Sequence, residues 1–305
     1  MSDTDRRHSS INRRFGPTLR RRVRAALGYP PPVVEGPLVA MAMRSERAAF
    51  ACPVDRLSLP IGLRFSSWNP FVHAARDIAA SAEAGYDGSV LERYYQAVQP
   101  RHAAEALLGF EDAPGVLAGH RPIAAFCTPW ERLGPERMVP KVAEWVRADY
   151  LEHGVEDLDL AAGFKYFGPT HHRVGEVEFE RLRRLVESLR RRGFLRRHGD
   201  VLVEVVRRGD EFLFLNSGGG AHRSAVAAAI GLHTVPARPV RNLIDRDRAE
   251  DWPNVRSGLW TIRQARRYVD HLFDFDYLAW ASGLGLGDDL GGARDESTPA
   301  ARAAP

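Results

Sequence analysis

The sequence predicts an α+β fold with a small mixed sheet. Three observations carry this prediction: apolar residues at helical spacing in 176–192, two β-prone runs around a turn in 201–215, and an alanine-rich segment after a glycine-rich loop. In chain order, residues 176–240 give helix, strand, strand, loop, helix and strand. This order of a helix, a hairpin, a loop, a helix and a strand is typical of a compact α+β module.

The elements of this module follow from local patterns. In residues 176–192 the apolar residues fall on one helical face, and Gly193 is suited to end the helix. The strands at 201–206 and 211–215 flank Gly209, which suits a hairpin turn. We expect a helix at 221–230, a strand at 234–240 and a final helix at 261–273, listed here in chain order.

The remaining chain divides by composition. Residues 37–165 predict an N-terminal α/β extension, with strands at 37–43 and 52–63 and helices at 71–84, after Ser89 and near 139–150. The predicted organisation is a mobile basic arm (1–36), this extension (37–165), the module with a C-terminal helix (166–282) and a disordered tail (283–305). The arm contains a basic amphipathic segment at 13–27, which is suited to contact an anionic membrane surface, a nucleic acid or a partner, or to pack on the protein itself.

Composition limits the class of protein. Hydrophobic residues make up 44% and charged residues 27%, which is the balance of a globular protein with a sizeable core. No run reaches the roughly eighteen apolar residues of a membrane-spanning helix, and the polar N-terminus lacks the apolar stretch of a secretory signal. Cys52 and Cys127 are isolated from each other, so we expect reduced thiols in a cytoplasmic protein.

The charge does not indicate a nucleic-acid partner. The formal net charge is +4 over 305 residues, which is too small for a strong field around the protein. All but two of the basic residues, Lys141 and Lys165, are arginine. That bias, together with abundant alanine and glycine, is typical of a GC-rich genome rather than of selection for phosphate contacts.

The glycine-rich loop and the residues after it have the chemistry of a phosphate site. Consecutive glycines let backbone N–H groups approach an anion, and the start of the following helix adds unpaired amides and the positive end of its dipole. Arg223 in the first turn offers a forked donor for phosphate oxygens. We therefore expect the ligand to contact Ser217, Gly218, Gly219, Gly220, Ala221, His222 and Arg223.

A longer stretch resembles the ParB/sulfiredoxin superfamily. Residues 213–236 read LFLNSGGGAHRSAVAAAIGLHTVP: an apolar strand, a G-x-H-R turn, an alanine-rich helix and a G-L-x-x-V-P start of a strand. The resemblance covers roughly residues 175–245, including the preceding helix. It implies a ParB/sulfiredoxin-like nucleotide-binding module.

The superfamily includes sulfiredoxins, kinases of free serine, and DNA-partition proteins that bind CTP. This sequence departs in part from the sequence pattern of each of these groups. Ala221 stands where sulfiredoxins have their catalytic cysteine, so sulfiredoxin activity is excluded. Partition proteins carry a helix-turn-helix domain and a dimerisation domain after this module, and residues 241–283 are too few for both. Gly219 replaces an acidic residue that many relatives carry. The resemblance therefore favours a phosphotransferase that uses ATP or another nucleoside phosphate with Mg²⁺ and a small hydroxylated acceptor.

The expected phosphotransferase activity assigns catalytic roles to individual residues. His222 is expected to donate to the transferring phosphoryl group, and Glu176 or Glu178 to act as the base, although Glu178 also suits plain solvation near a helix N-terminus. His171 and His172 have no third ligand at useful spacing, so no metal site is expected there. Two alternatives stay open: a non-catalytic nucleotide-binding adaptor of a membrane-proximal or surface-polysaccharide assembly, and a DNA-binding regulator that uses the arginine-rich residues 181–197.

Overall fold

The computed structural model describes residues 30–43, 48–240 and 243–287. Within these ranges the fold is α+β, with seven strands in one mixed sheet and nine α-helices packed around it. The predicted amphipathic segment at 13–27 lies outside the described residues, and so does the predicted tail after residue 287. No helix in the described ranges is long and apolar enough to span a bilayer.

The sheet combines strands from distant parts of the chain. Its order is β1-β2-β6-β4-β5-β3, and β7 pairs with β4 beyond the end of β6. The β4–β5 and β2–β6 pairs are antiparallel, whereas β1–β2, β3–β5, β4–β6 and β4–β7 are parallel. The strands are β1 (Val33–Val34), β2 (Ala49–Pro53), β3 (Leu57–Ser58), β4 (Val201–Arg208), β5 (Glu211–Asn216), β6 (Thr234–Pro239) and β7 (Ile244–Asp245).

The helices in chain order are α1 (Gly36–Ala42), α2 (Pro70–Ala80), α3 (Val90–Ala97), α4 (Pro135–Glu152), α5 (His172–Arg192), α6 (Ala221–Ala229), α7 (Pro253–Arg256), α8 (Ile262–Asp274) and α9 (Tyr277–Gly283). Helices α2, α5 and α6 pack on one another. The predicted helix at 176–192 is confirmed as α5 and begins one turn earlier, where the His171 side chain accepts from the Arg173 amide. The predicted hairpin is confirmed as β4 and β5.

Two predicted strands are wrong, one in full and one in part. Of residues 52–63, only 52–53 and 57–58 lie in strands, and residues 54–56 form a 3-10 turn between them. Residues 37–43 lie largely in helix α1. An apolar run this short does not distinguish a strand from a helix by periodicity, and Pro37 decides the outcome because proline fits the first turn of a helix but cannot donate to a sheet.

The sheet crosses the boundary predicted at residue 165. Strand β2 pairs with β6, with Phe50 opposite Ala237, and β3 pairs with β5, with Leu57 opposite Phe214. The Phe50 and Phe214 rings lie 5.2 Å apart between centroids. Strands from the N-terminal region therefore support β5, the strand that leads into the glycine-rich loop.

An aromatic cluster fixes the segment at 126–131. The Trp260 indole N–H donates to the Cys127 carbonyl at 2.8 Å, and the Asn254 side-chain amide donates to the Thr128 carbonyl at 2.9 Å. Trp130 stacks on Tyr268 with ring centroids 5.9 Å apart. These contacts hold the segment against the C-terminal helices, on the side of the sheet where the glycine-rich loop emerges.

Candidate functional site

The glycine loop (residues 217–220) joins β5 to α6 and is held firmly against β4. The Ser217 amide donates to the Leu202 carbonyl at 2.8 Å, and the Leu202 amide donates to the Gly219 carbonyl at 3.3 Å. The Asn216 side chain donates to the same Gly219 carbonyl at 3.1 Å. The loop conformation is therefore set by β4 and by its own flanking residues.

Gly220 is the residue at which the loop requires glycine. It caps α6 with a φ of 94°, in the left-handed region. A Cβ atom there would lie 3.1 Å from Val201 Cγ2 and 3.2 Å from Val201 Cα. The absence of a side chain thus allows both the backbone conformation and the close approach of the loop to β4.

The backbone amides of the loop are available to a ligand. Among the described residues, no acceptor is hydrogen-bonded to the amides of residues 218–223, and the first turn of α6 has no side-chain cap. The first satisfied amide of the helix is that of Ser224, which donates to the Gly220 carbonyl at 2.8 Å. Unpaired amides at a helix N-terminus form an anion-binding site.

A cavity of about 450 Å³ lies beside these amides. Residues 217–222 form one wall, α4 forms another, and the segments at 126–131 and 164–166 close the space. Its volume falls in the range of about 300–1,000 Å³ that small-molecule sites occupy. Both predicted regions, 37–165 and 166–282, contribute walls to it.

His222 and Glu178 form a buried pair at the cavity wall. His222 Nε2 is hydrogen-bonded to Glu178 Oε2, and Glu178 Oε1 accepts from Arg181 Nη1 at 2.9 Å. Glu178 has no exposed surface and His222 exposes 7%. Burial by itself raises the pKa of Glu178, but the charge of Arg181, the hydrogen bond with His222 and the charge of Lys165 lower it to about 2.

The environment of the His222 imidazole favours its neutral form. Burial lowers its pKa, and the positive charge of Arg181 lowers it further, against the opposite effect of Glu178. We infer that the neutral ring donates Nε2–H to the Glu178 carboxylate, which leaves the lone pair on Nδ1. A carboxylate that fixes the tautomer of a histidine is the arrangement of an oriented general base.

Arg181 and Lys165 meet at Asp149 beside this pair. Arg181 binds Asp149 through two contacts of 2.8 and 3.1 Å, and Lys165 Nζ lies 3.0 Å from Asp149 Oδ2. Burial opposes ionisation of Asp149, but the two cations hold the pKa of its carboxyl well below the usual range. With Glu178, the four side chains balance two positive and two negative charges.

The opposite part of the cavity is acidic and aromatic. Glu204 and Glu131 are buried there, and the Trp130 indole N–H donates to Glu204 Oε2 at 3.0 Å. Glu131 Oε1 accepts from the Arg132 amide at 2.6 Å. Among the described residues, the carboxylates that line the cavity outnumber the Lys and Arg cations; they are Glu131, Asp149, Glu152 and Glu204 against Lys165 and Arg181.

The structure brings some predicted site residues together and separates others. Residues 217–222 line one cavity, and Glu178 lies directly behind His222. Glu176 points elsewhere: it is exposed, and its carboxylate lies 3.5 Å from His172 Nδ1. Arg223 donates to the Gly199 carbonyl and lies over the Phe194 ring, 5.2 Å from its centroid, outside the cavity lining.

A second group of polar residues lies at the start of α5. The ligand atoms of Asp87, Glu92 and His172 are within 4.8 Å of one another, and His172 Nε2 is 2.6 Å from Asp87 Oδ1. This hydrogen bond raises the pKa of His172. The spacing along the sequence did not indicate these partners, because Asp87 and His172 are 85 residues apart. The group does not line the cavity.

Most arginines of α5 are engaged by neighbouring residues. Arg184 donates to Glu180 at 3.0 Å, Arg191 to Glu187 at 3.3 Å, and Arg183 to the Ala82 carbonyl at 3.0 Å. The face is therefore a mixed, salt-bridged surface rather than a row of free cations.

Several cavity residues were missed by the sequence analysis, most notably Asp149, Lys165, Arg181 and Trp130. Local patterns gave no sign of them, since Asp149 looks like any polar residue of a surface helix. Lys165 carried one usable signal, because it is one of two lysines in an arginine-rich chain.

Comparison of the chain with protein-family models, curated proteins and solved structures found no match.

Proposed function

We propose that the chain is a nucleotide-binding phosphotransferase that acts on a small hydroxylated acceptor. One observation carries this proposal: residues 218–222, whose backbone amides are unpaired, line a cavity that has the ordered His222–Glu178 pair at its wall. Phosphoryl transfer needs little covalent chemistry from the protein beyond positioning and charge stabilisation. The resemblance of residues 213–236 to the ParB/sulfiredoxin superfamily agrees with a phosphate ligand at the same loop.

The residues divide the reaction between them. The loop amides and Lys165 bind the phosphate oxygens, and His222 Nδ1 accepts the proton of the acceptor hydroxyl. The acceptor oxygen then bonds to the terminal phosphorus while the bond from phosphorus to the bridging oxygen breaks, and the nucleoside diphosphate leaves with that electron pair. Glu178 stabilises the imidazolium that results. We assign the base to His222 because a carboxylate with a pKa of about 2 is a poor proton acceptor.

The oxygen ligands of the cavity suit a magnesium ion. Glu131 and Glu204 line it, and carboxylates are the protein ligands that Mg²⁺ takes beside phosphate oxygens. Bound there, Mg²⁺ would neutralise phosphate charge, while Arg181 remains tied to Asp149.

A binding screen followed by product analysis tests the proposal. We expect at least one of ATP, ADP, CTP and GTP with Mg²⁺ to raise the melting temperature and to be turned over with a small hydroxylated acceptor such as serine. His222→Gln should keep binding and lose turnover, because only the proton acceptor is removed. Glu176→Gln is the matched control, since Glu176 lies outside the cavity.

The outcomes separate the alternatives. Binding with no turnover for any hydroxylated acceptor would identify a nucleotide-binding adaptor and refute the enzyme. No binding of any nucleotide would refute the proposal altogether. Equal turnover by wild type and His222→Gln would refute the assignment of the base.

A further inference from the structure

Trp145 is a large aromatic side chain on the rim of the cavity. It lines the cavity from α4 and leaves 46% of its surface exposed. The Phe126 ring stands at 86° to it, with centroids 6.5 Å apart, and Lys141 Nζ lies 5.1 Å from the indole centroid. These two contacts hold the indole in place, although the side chain is not buried.

The position of Trp145 relates it to the polar part of the site. Asp149 follows it by one helical turn on α4, so the two side chains share a face of the helix. Asp149 in turn holds Lys165 at the cavity wall. The indole and the loop amides therefore face one cavity from different elements, α4 on one side and residues 217–222 on the other.

We propose that Trp145 is the stacking platform for the base of the bound nucleotide. Every nucleobase presents a flat π face, and stacking on an aromatic side chain is favourable for any base. The platform then selects a nucleotide over a sugar phosphate or an inorganic polyphosphate, which have no ring to stack. This inference rests on the proposed function for the phosphate position at the glycine loop.

The test compares two ligands on matched variants of the full chain. The probes are inorganic tripolyphosphate and whichever of ATP, ADP, CTP and GTP binds most tightly, both with Mg²⁺, titrated by calorimetry. Trp145→Ala should weaken nucleotide binding by about 5- to 100-fold, as expected for the loss of one base–aromatic stack. The same variant should leave tripolyphosphate binding unchanged, and Trp145→Phe should retain most of the nucleotide affinity.

Leu151→Ala provides the control on the same helix. Leu151 is 56% exposed and does not line the cavity, so its removal should change neither affinity. The platform is refuted if Trp145→Ala affects both ligands equally or neither, or if wild type binds tripolyphosphate as tightly as any nucleotide. In the last case the anion site of the proposed function survives. If wild type binds neither ligand, both the proposed function and the stacking platform are refuted.

Discussion

Two glutamates on α5 show how much a side chain's environment decides its role. Glu176 and Glu178 are two positions apart, which places them on different sides of the helix. Glu176 is exposed beside His172, whereas Glu178 is buried between Arg181 and His222. From the sequence alone the two glutamates are equal candidates for the base, because neither residue type nor spacing separates them. Burial separates them, and burial depends on what packs against α5.

This difference predicts unequal effects on stability. Glu178→Gln removes the partner of a buried cation, so we expect the free energy of unfolding at pH 7 to fall by about 3 kcal/mol. Glu176→Gln should change it by no more than about 0.5 kcal/mol, as for other exposed sites. Urea unfolding measures both values. Similar losses of unfolding free energy in the two variants would contradict the conclusion that Glu178 is a buried partner of Arg181.

The pH dependence of that effect has a definite sign. The folded-state pKa of Glu178 is lowered to about 2 from an ordinary 4.5. The stabilisation is therefore complete above pH 4.5 and is lost as the pH falls toward 2. The stability difference between wild type and Glu178→Gln should shrink over that window, as followed by unfolding at a series of pH values. A stability difference that stays the same at every pH would indicate that the charge of Glu178 does not contribute to stability.

At the scale of elements, the junction of β5 and α6 determines whether the amides are presented. Gly220 has a positive φ and only tight space for a Cβ beside Val201, whereas Gly218 has a positive φ of 77° but open space around it. We expect Gly220→Ala to cost about 2 kcal/mol of stability and to weaken nucleotide binding. Gly218→Ala should carry only the backbone strain, about 1 kcal/mol.

Chemical denaturation and calorimetric titration of the two glycine variants check this prediction. If Gly218→Ala and Gly220→Ala behave alike in both measurements, the contact with Val201 does not set the loop conformation.

The elements that the sequence predicted well are those coded by local patterns. Helix α5, the β4–β5 hairpin and α6 follow from apolar periodicity and turn residues, and the structure agrees closely. The cavity could not be predicted in the same way, because its walls meet through long-range contacts. The bond from Asn254 to Thr128 spans 126 residues, and that from Trp130 to Glu204 spans 74. No local pattern in residues 126–166 encodes these partners.

At the scale of the whole molecule, the charge inside the cavity matters more than the net charge. The acidic side chains that line the cavity outnumber the cations there, so a bare polyphosphate meets a repulsive field. We expect EDTA to weaken nucleotide binding by at least about tenfold, since one close charge contact near a surface is worth several kcal/mol. Glu204→Gln should reduce this dependence on Mg²⁺. Equal affinity with and without EDTA would contradict the prediction.

A half-buried histidine outside the cavity lining links global stability to pH. His271 Nε2 is hydrogen-bonded to the Leu108 carbonyl at 3.1 Å, and burial lowers the pKa of His271 to about 4. The unfolded chain binds this proton below about pH 6.5, so stability falls as the pH drops from there to 4.

We expect this histidine to contribute about 3 kcal/mol of the loss over that window. His271→Gln keeps a hydrogen-bond donor but does not titrate, so its stability should depend less steeply on pH in urea unfolding. If the unfolding free energies of wild type and His271→Gln change in parallel with pH, His271 is protonated equally in the folded and unfolded states.

The interleaved sheet has a consequence for how the protein can be made and divided. Strands β2 and β3 leave the ribosome more than 150 residues before their partners β6 and β5, so the early chain carries unpaired strand edges while synthesis continues. A fragment cut at residue 165 would separate these pairs and expose edges on both pieces. Expression of either fragment alone should therefore yield aggregated material, and neither fragment contains all the walls of the cavity.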